Sequence, residues 1–190
     1  MQRAKAEIKV VMAVAVACLL VTSSQAASRA EQQEAITKMA EQSLQQLYQA
    51  KPAARAAVEK AAGYAVFSDM GVKILFGGSG KGQGEVVNNQ TGQKTYMKMV
   101  ELQAGLGFGV EKFRNIFVFE TQSAMNSFIN EGWQFGGQAT AAAVTAKSGG
   151  SMAGAASIAD GVWLYQLTEK GLNASITATG AKYYKDDALN

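Results

Sequence analysis

Glycine at every second position in the segment ELQAGLGFGVE (residues 101–111) is the strongest constraint on the fold of this chain. Gly105, Gly107 and Gly109 alternate there with three large apolar residues. Because successive side chains of a strand point to opposite faces, such a strand would have one apolar face and one face of nearly bare backbone. We predict that the bare face lies under a helix or a neighbouring strand of the same domain. A ligand groove is the alternative, since strand glycine also permits close approach to a ligand.

The sequence from residue 63 onwards has the two-residue period of β-strands. The predicted strands are 63–68, 71–78, 82–88, 93–111, 114–120, 161–168 and 172–179. Turns are expected at Asp69–Gly71 and at 88–92, and the residues from 182 onwards are expected to form a polar tail. The glycines expected to permit close packing are Gly77, Gly78, Gly80, Gly82, Gly84, Gly105, Gly107 and Gly109.

Helices are predicted mainly before the strands. Apolar residues recur at three- and four-residue spacing over 28–62, where Pro52 begins a second helix that ends at Gly63. A third helix is predicted after Thr121 as its N-cap, with Gly132 just past its end. Helices followed by a run of strands favour an α+β domain in which N-terminal helices pack on an antiparallel sheet. Its glycine content favours a strongly twisted or barrel-like sheet.

The first 26 residues have the pattern of a secretory signal peptide. Arg3, Lys5 and Lys9 precede an apolar run over 10–21, and small residues follow up to Ala26, the expected cleavage site. Cleavage before Cys18, with lipid attached to that cysteine, is the alternative. The mature protein would be one domain over 27–190 with its core at about 55–184, exported to the periplasm or cell envelope.

Composition excludes several classes of function. The chain has no histidine, which removes Ser-His-Asp and Cys-His nucleophilic sites and the common zinc sites. Without the leader the net charge falls from +3 to about +1, too small to indicate nucleic-acid binding. Seven carboxylates are each expected to be solvated surface charges rather than a catalytic pair, namely Asp69, Glu85, Glu101, Glu111, Glu120, Asp160 and Glu169. We therefore expect no enzyme, no metal and no cofactor.

The segment GGSGKGQGE (77–85) is glycine-rich but does not form a nucleotide-binding loop. Gly82 follows Lys81 where the Walker pattern requires Ser or Thr, and no βαβ unit surrounds the segment. We interpret it as paired strands whose glycines let another element lie close. Its backbone N–H groups and Lys81 could still meet an anionic head group.

Four segments together resemble the SYLF domain family, whose members bind lipids and, in eukaryotes, actin. They are KAAGYAVF (60–67), GGSGKGQGEVV (77–87), LQAGLGFGVEKFRNIFVFET (102–121) and TEKGLNASITATG (168–180). The resemblance implies binding to acidic phospholipids without catalysis. The segment KTYMKMV (94–100) departs from the Trp-Ser-Pro segment of many eukaryotic members, and export would separate the protein from cytosolic actin, so we do not expect actin as a partner.

Basic residues near the glycine-rich strands and the second helix are the candidate lipid-binding residues. They are Lys51, Arg55, Lys60, Lys73, Lys81, Lys98, Lys112 and Arg114. If they share one face, each would contribute about 1 kcal/mol near an anionic surface. The expected partner is an anionic phospholipid or another envelope component, contacted peripherally. The alternative is a structural or stress-related envelope protein that acts through protein contact, for which the small residues of 136–160 could form an interface.

Overall fold

Two long paired strands form the centre of the fold. The computed structural model describes residues 28–135, 155–168, 171–172 and 180–190. Strands β1 (Gly63–Asn88) and β2 (Lys94–Phe119) pair antiparallel along their lengths, with one irregularity between Leu75 and Gly77. The turn predicted at 88–92 joins them.

The turn predicted at Asp69–Gly71 is wrong. Asp69 pairs with Phe113 and Gly71 with Glu111 inside the continuous ladder. The predicted break between 93–111 and 114–120 is absent for the same reason. Local turn preference gives way here to the pairing of two complementary strands.

Five shorter strands complete an antiparallel sheet within the described ranges. They are β3 (Trp133–Phe135), β4 (Ala156–Ala159), β5 (Val162–Thr168), β6 (Gly171–Leu172) and β7 (Gly180–Lys185). One edge of β2 pairs with β1, whereas its other edge pairs with β7 at one end and with β5 at the other. Strand β3 flanks β7, and β4 and β6 flank β5. The α+β class and the twisted, curled sheet are as predicted.

Three helices accompany the sheet in the described part of the chain. Helix α1 occupies residues 28–50, and α2 (Ala53–Lys60) begins directly after Pro52 and ends before the expected Gly63, which starts β1. Helix α3 (Gln122–Asn130) is capped as predicted, since the Thr121 hydroxyl accepts a hydrogen bond from the Ala124 N–H at 3.2 Å. None of these helices has the length and apolar character of a membrane span.

The core lies on both faces of the sheet. On the face toward α3, called the inner face, the buried aromatic side chains are Phe67, Phe117, Phe119, Phe128 and Tyr183. On the face toward α1 and α2, called the outer face, the buried residues include Leu47, Val58, Val66, Ile116 and Tyr165. Neighbours such as Val66 and Phe67 therefore point to opposite faces, as strand geometry requires.

Strand β1 folds back so that its first part lies against its last part. A Cβ atom at Gly84 would lie 2.1 Å from the Val66 carbonyl oxygen, and one at Gly82 would lie 2.5 Å from the Ser68 carbonyl oxygen. Neither position has room for a side chain. The irregularity between Leu75 and Gly77 lies between the two contacting parts, so β1 bends there and the sheet curls toward its inner face.

Several sequence predictions fall outside the described residues. They are the signal peptide, the alternative at Cys18, most of the small-residue segment 136–160, and most of the last predicted strand. The side chains of 71–78 and 102–111 are likewise outside the description. The close packing expected at Gly77, Gly78, Gly105, Gly107 and Gly109 therefore stays a prediction.

Candidate functional site

The structure distributes the predicted basic residues over three regions. Lys81 and Lys98 lie together on the outer face where β1, β2 and β7 pair, and Lys112 and Arg114 lie together farther along β2. Lys51, Arg55 and Lys60 are in or next to α2. The side chain of Lys73 is outside the described part.

The first region has a regular cross-strand arrangement. Lys81 of β1 and Lys182 of β7 are the two lateral neighbours of Val100 on β2. In the next row of the same face, Gln83 and Tyr184 are the neighbours of Lys98. Directly opposite side chains on one face lie about 5 Å apart at Cβ, so these residues form a continuous surface.

Apolar side chains are exposed at the same place. The large apolar residues that are most exposed within the described ranges are Met70 (52 %), Val100 (38 %) and Tyr184 (36 %). All three line one groove of about 640 Å³, together with Lys81 and Lys98. We call Lys81, Lys98, Lys182, Met70, Val100 and Tyr184 the lysine–apolar patch.

The positive charge of this patch is only partly neutralised. Lys98 donates a hydrogen bond to Asp186 at 2.8 Å, and this carboxylate raises the pKa of Lys98. Lys81 and Lys182 form no ion pair with any residue that the structure describes. Lysine side chains can keep their ammonium groups in water beside apolar neighbours, which suits a mixed surface of this kind.

The second region is a groove of about 640 Å³ between α1 and the outer face. Lys112 and Arg114 line it from β2, Gln46 and Gln49 from α1, and Thr168 from β5. None of its described lining residues is acidic. We call it the arginine groove.

Arg114 is half-buried in the arginine groove. Its guanidinium donates a hydrogen bond to the Ser68 hydroxyl, and no described carboxylate pairs with it. Burial lowers the pKa of Arg114. Since Ser68 also lines the first groove, the two grooves meet at the contact between Ser68 and Arg114.

In the third region, Arg55 is engaged by partners within the protein. The Arg55 guanidinium lies 4.4 Å from the centroid of the Tyr48 ring and 3.6 Å from the Glu59 carboxylate. Lys60 is exposed in the last turn of α2 and lines neither of the two larger grooves. Lys51 likewise lines neither groove, so this region differs from the other two because its cations do not share a groove with one another.

Three carboxylates that were expected to be solvated are buried, so that prediction is wrong. Glu85 is 2 % exposed, accepts a hydrogen bond from Thr37 at 2.7 Å and pairs with Lys94 at 3.3 Å, which ties α1 to the hairpin. Asp69 and Glu101 are 1 % and 7 % exposed on the inner face. Both lie near Tyr183. Burial raises the pKa of Tyr183, and the two carboxylates raise it further.

Sequence reasoning missed four members of the lysine–apolar patch. Lys182 and Tyr184 were assigned to a polar tail, but they belong to strand β7. The only sequence signal was that Lys182 stands between Ala181 and Tyr183; in the strand Ala181 and Tyr183 are buried and Lys182 and Tyr184 are exposed. Met70 and Val100 carried no such signal, because their exposure depends on how the strands curl.

The fold and these surfaces define the class of protein as an α+β domain with a curled, glycine-rich sheet and cation-lined grooves. Residues 100–190 match the family model Ysc84, described as a Las17-binding protein actin regulator. The chain is also 32 % identical over 161 residues to Beta cell expansion factor A of Aeromonas veronii. That match covers 82 % of this chain and 58 % of the relative.

The chain belongs to the Ysc84 (SYLF) family, which confirms the resemblance found in the sequence. The family consists of lipid-binding and actin-regulating domains. It is not a known enzyme family, and the relative from Aeromonas veronii is named as a factor. The chain spans little more than half the length of that relative.

Proposed function

We propose that this chain is an exported, non-enzymatic protein that binds anionic phospholipid surfaces through the lysine–apolar patch. The observation that carries the proposal is that the most exposed large apolar side chains of the described residues share one groove with two of the predicted lysines. Exposed apolar side chains rimmed by charges are typical of surfaces that contact a membrane or a protein.

The composition of the patch favours a membrane surface. Tyr184 combines an apolar ring with a polar hydroxyl, which suits the interface between lipid head groups and acyl chains. Met70 and Val100 would enter the apolar boundary, while the three lysines meet anionic head groups at about 1 kcal/mol each. Because Lys98 already pairs with Asp186, Lys81 and Lys182 would contribute most of the attraction.

Export is the second part of the proposal, and it rests on the leader-like sequence of residues 1–26. Export would place the protein in the periplasm or cell envelope, where anionic phospholipid is available and cytosolic actin is not. Expression of the full sequence in a bacterium, followed by fractionation and mass measurement, tests this point. Cleavage after Ala26 supports a plain signal peptide, a lipid-modified product beginning at Cys18 supports the alternative, and an uncleaved cytosolic product contradicts export.

Flotation of the purified protein with liposomes tests the binding. We expect binding to vesicles that contain phosphatidylglycerol, none to pure phosphatidylcholine, and a decrease at high salt, since salt screens exposed charges. The charge reversals Lys81→Glu and Lys182→Glu should weaken binding, whereas Lys60→Glu, the same charge change outside both grooves, should not. Equal loss in all three variants would indicate an effect of net charge alone, and no binding to either vesicle would favour the protein-contact alternative.

A further inference from the structure

A half-buried guanidinium with no acidic partner among the described residues distinguishes the arginine groove from the rest of the described surface. Removing a charge from water costs free energy unless an opposite charge or hydrogen bonds compensate. Arg114 is compensated within the described residues only by the neutral Ser68 hydroxyl. Glu85, a buried carboxylate, is by contrast compensated by an ion pair with Lys94 and a hydrogen bond from Thr37.

A second cation lies next to Arg114 on the same face. Lys112 is two residues away along β2, about 7 Å by strand geometry, and it is exposed and forms no ion pair with a described residue. Two cations at this spacing can both reach a group that carries two negative charges. The guanidinium supplies a planar fork of N–H donors, and the ammonium supplies a point charge.

Neutral donors surround the two cations. The amides of Gln46 and Gln49 line the groove, and each can donate a hydrogen bond. The Thr168 hydroxyl, which also lines it, donates to the Gly171 carbonyl oxygen at 3.2 Å. The volume of about 640 Å³ lies within the range of small-molecule sites. The groove therefore has charge, donors and space for a small anion with several acceptor oxygens.

We propose that the arginine groove binds the dianionic phosphate group of a phosphate monoester, with Arg114 and Lys112 as its charged ligands. The phosphate group could belong to a free soluble ligand or to a lipid head group. The inference does not depend on the lysine–apolar patch, because it uses other residues and other chemistry. It would give the protein a site selective for phosphate monoesters beside a surface that binds anionic lipid without that selectivity.

Calorimetric titration of the purified protein with inorganic phosphate, against chloride at equal ionic strength, tests the site directly. We expect phosphate binding that weakens about tenfold or more in Lys112→Gln and in Arg114→Gln, because each removes a charge-assisted contact. Lys60→Gln is the matched control and should bind phosphate as the parent does. Lys112 is exposed, so its variant remains informative if Arg114→Gln fails to fold.

A vesicle comparison distinguishes the source of the phosphate. Vesicles with phosphatidic acid, a monoester, are compared with vesicles of equal surface charge that contain phosphatidylglycerol, a diester. If the protein binds free phosphate and this binding requires Lys112, the site is open to soluble ligands. If the protein shows only a preference for phosphatidic acid, and this preference requires Lys112, the ligand is a lipid head group. The proposal is overturned if the Lys112 and Arg114 variants keep both free phosphate binding and the preference for phosphatidic acid. It is also overturned if the parent shows neither. Lys81→Glu separates the two proposals, since it should weaken vesicle binding without changing phosphate titration.

Discussion

The buried carboxyl of Asp69 makes the stability of this protein depend on pH in a direction opposite to that of most carboxylates. Asp69 is 1 % exposed, and neither of its oxygens has a hydrogen-bond partner of good geometry among the described residues. Burial raises the pKa of Asp69 to about 8, and the nearby Glu101 carboxyl adds to the increase. Asp69 therefore keeps a proton in the folded protein at pH values where the unfolded chain has released it.

The sign of the effect follows from proton linkage. Unfolding releases a proton between about pH 4 and pH 8, so the free energy of unfolding falls as pH rises through this window. One pH unit in the window corresponds to at most about 1.4 kcal/mol. Between pH 5 and pH 7 we expect a loss of about 1–3 kcal/mol, the lower figure allowing for screening by water.

The substitution Asp69→Asn removes this titration while keeping the shape of the side chain. Urea unfolding followed by circular dichroism should then give a free energy of unfolding that rises relative to the parent by about 1–3 kcal/mol between pH 5 and pH 7. Glu101→Gln should act in the same direction, since the Glu101 carboxyl adds to the increase in the pKa of Asp69. Glu59→Gln, at a side chain 62 % exposed, should leave the pH profile of the parent unchanged. A stability difference between Asp69→Asn and the parent that stays constant with pH would refute the reasoning.

Three further changes test the packing. Gly84→Ala should lower the free energy of unfolding by about 3 kcal/mol or more in urea titration, because its Cβ would meet the Val66 carbonyl oxygen. Gly180→Ala, at a position with open space around it, is the control and should change the free energy of unfolding little. Thr121→Ala should cost about 1 kcal/mol by the same assay, since it removes the α3 cap, and no change would show that the cap is dispensable. Phe128→Ala should cost about 3–5 kcal/mol, because this buried ring contacts four other aromatic rings, and a loss below 1 kcal/mol would contradict the packing described.

The parts of the fold that sequence predicted are those set by local chemistry. Thr121 and Gly132 define the ends of α3 through a side-chain cap and a positive φ of 69°, and both signals lie within the segment itself. The turn at 88–92 is equally local, since the Asn88 side chain accepts hydrogen bonds from the N–H groups of Gln90 and Thr91. Strand β5 was visible because its apolar run is bounded by turn residues.

The parts that sequence did not predict depend on contacts between distant segments. Asp69 and Gly71 have strong turn preferences, yet a complementary partner strand keeps them in a continuous ladder. The burial of Asp69 and Glu101 could not be read from the sequence, because the fold-back of β1 is what encloses them. The lipid-binding role of the basic residues stays a prediction, and only the strand pairing shows that Lys81 and Lys182 flank Val100. Arg55 is engaged by Glu59 within α2.

The fold-back of β1 connects the stability of the curl with the surface proposed to bind lipid. The contacts of Gly82 and Gly84 with the carbonyl groups of Ser68 and Val66 hold the first part of β1 against the last part. The same contact brings Ser68 and Met70 from the first part into one groove with Lys81 from the last part. A side chain at Gly82 would force these parts away from each other and so separate Met70 from Lys81. The lysine–apolar patch therefore depends on the closed curl rather than on either strand segment alone. Gly82 and Gly84 carry no functional group, but they permit the contact that brings the patch together.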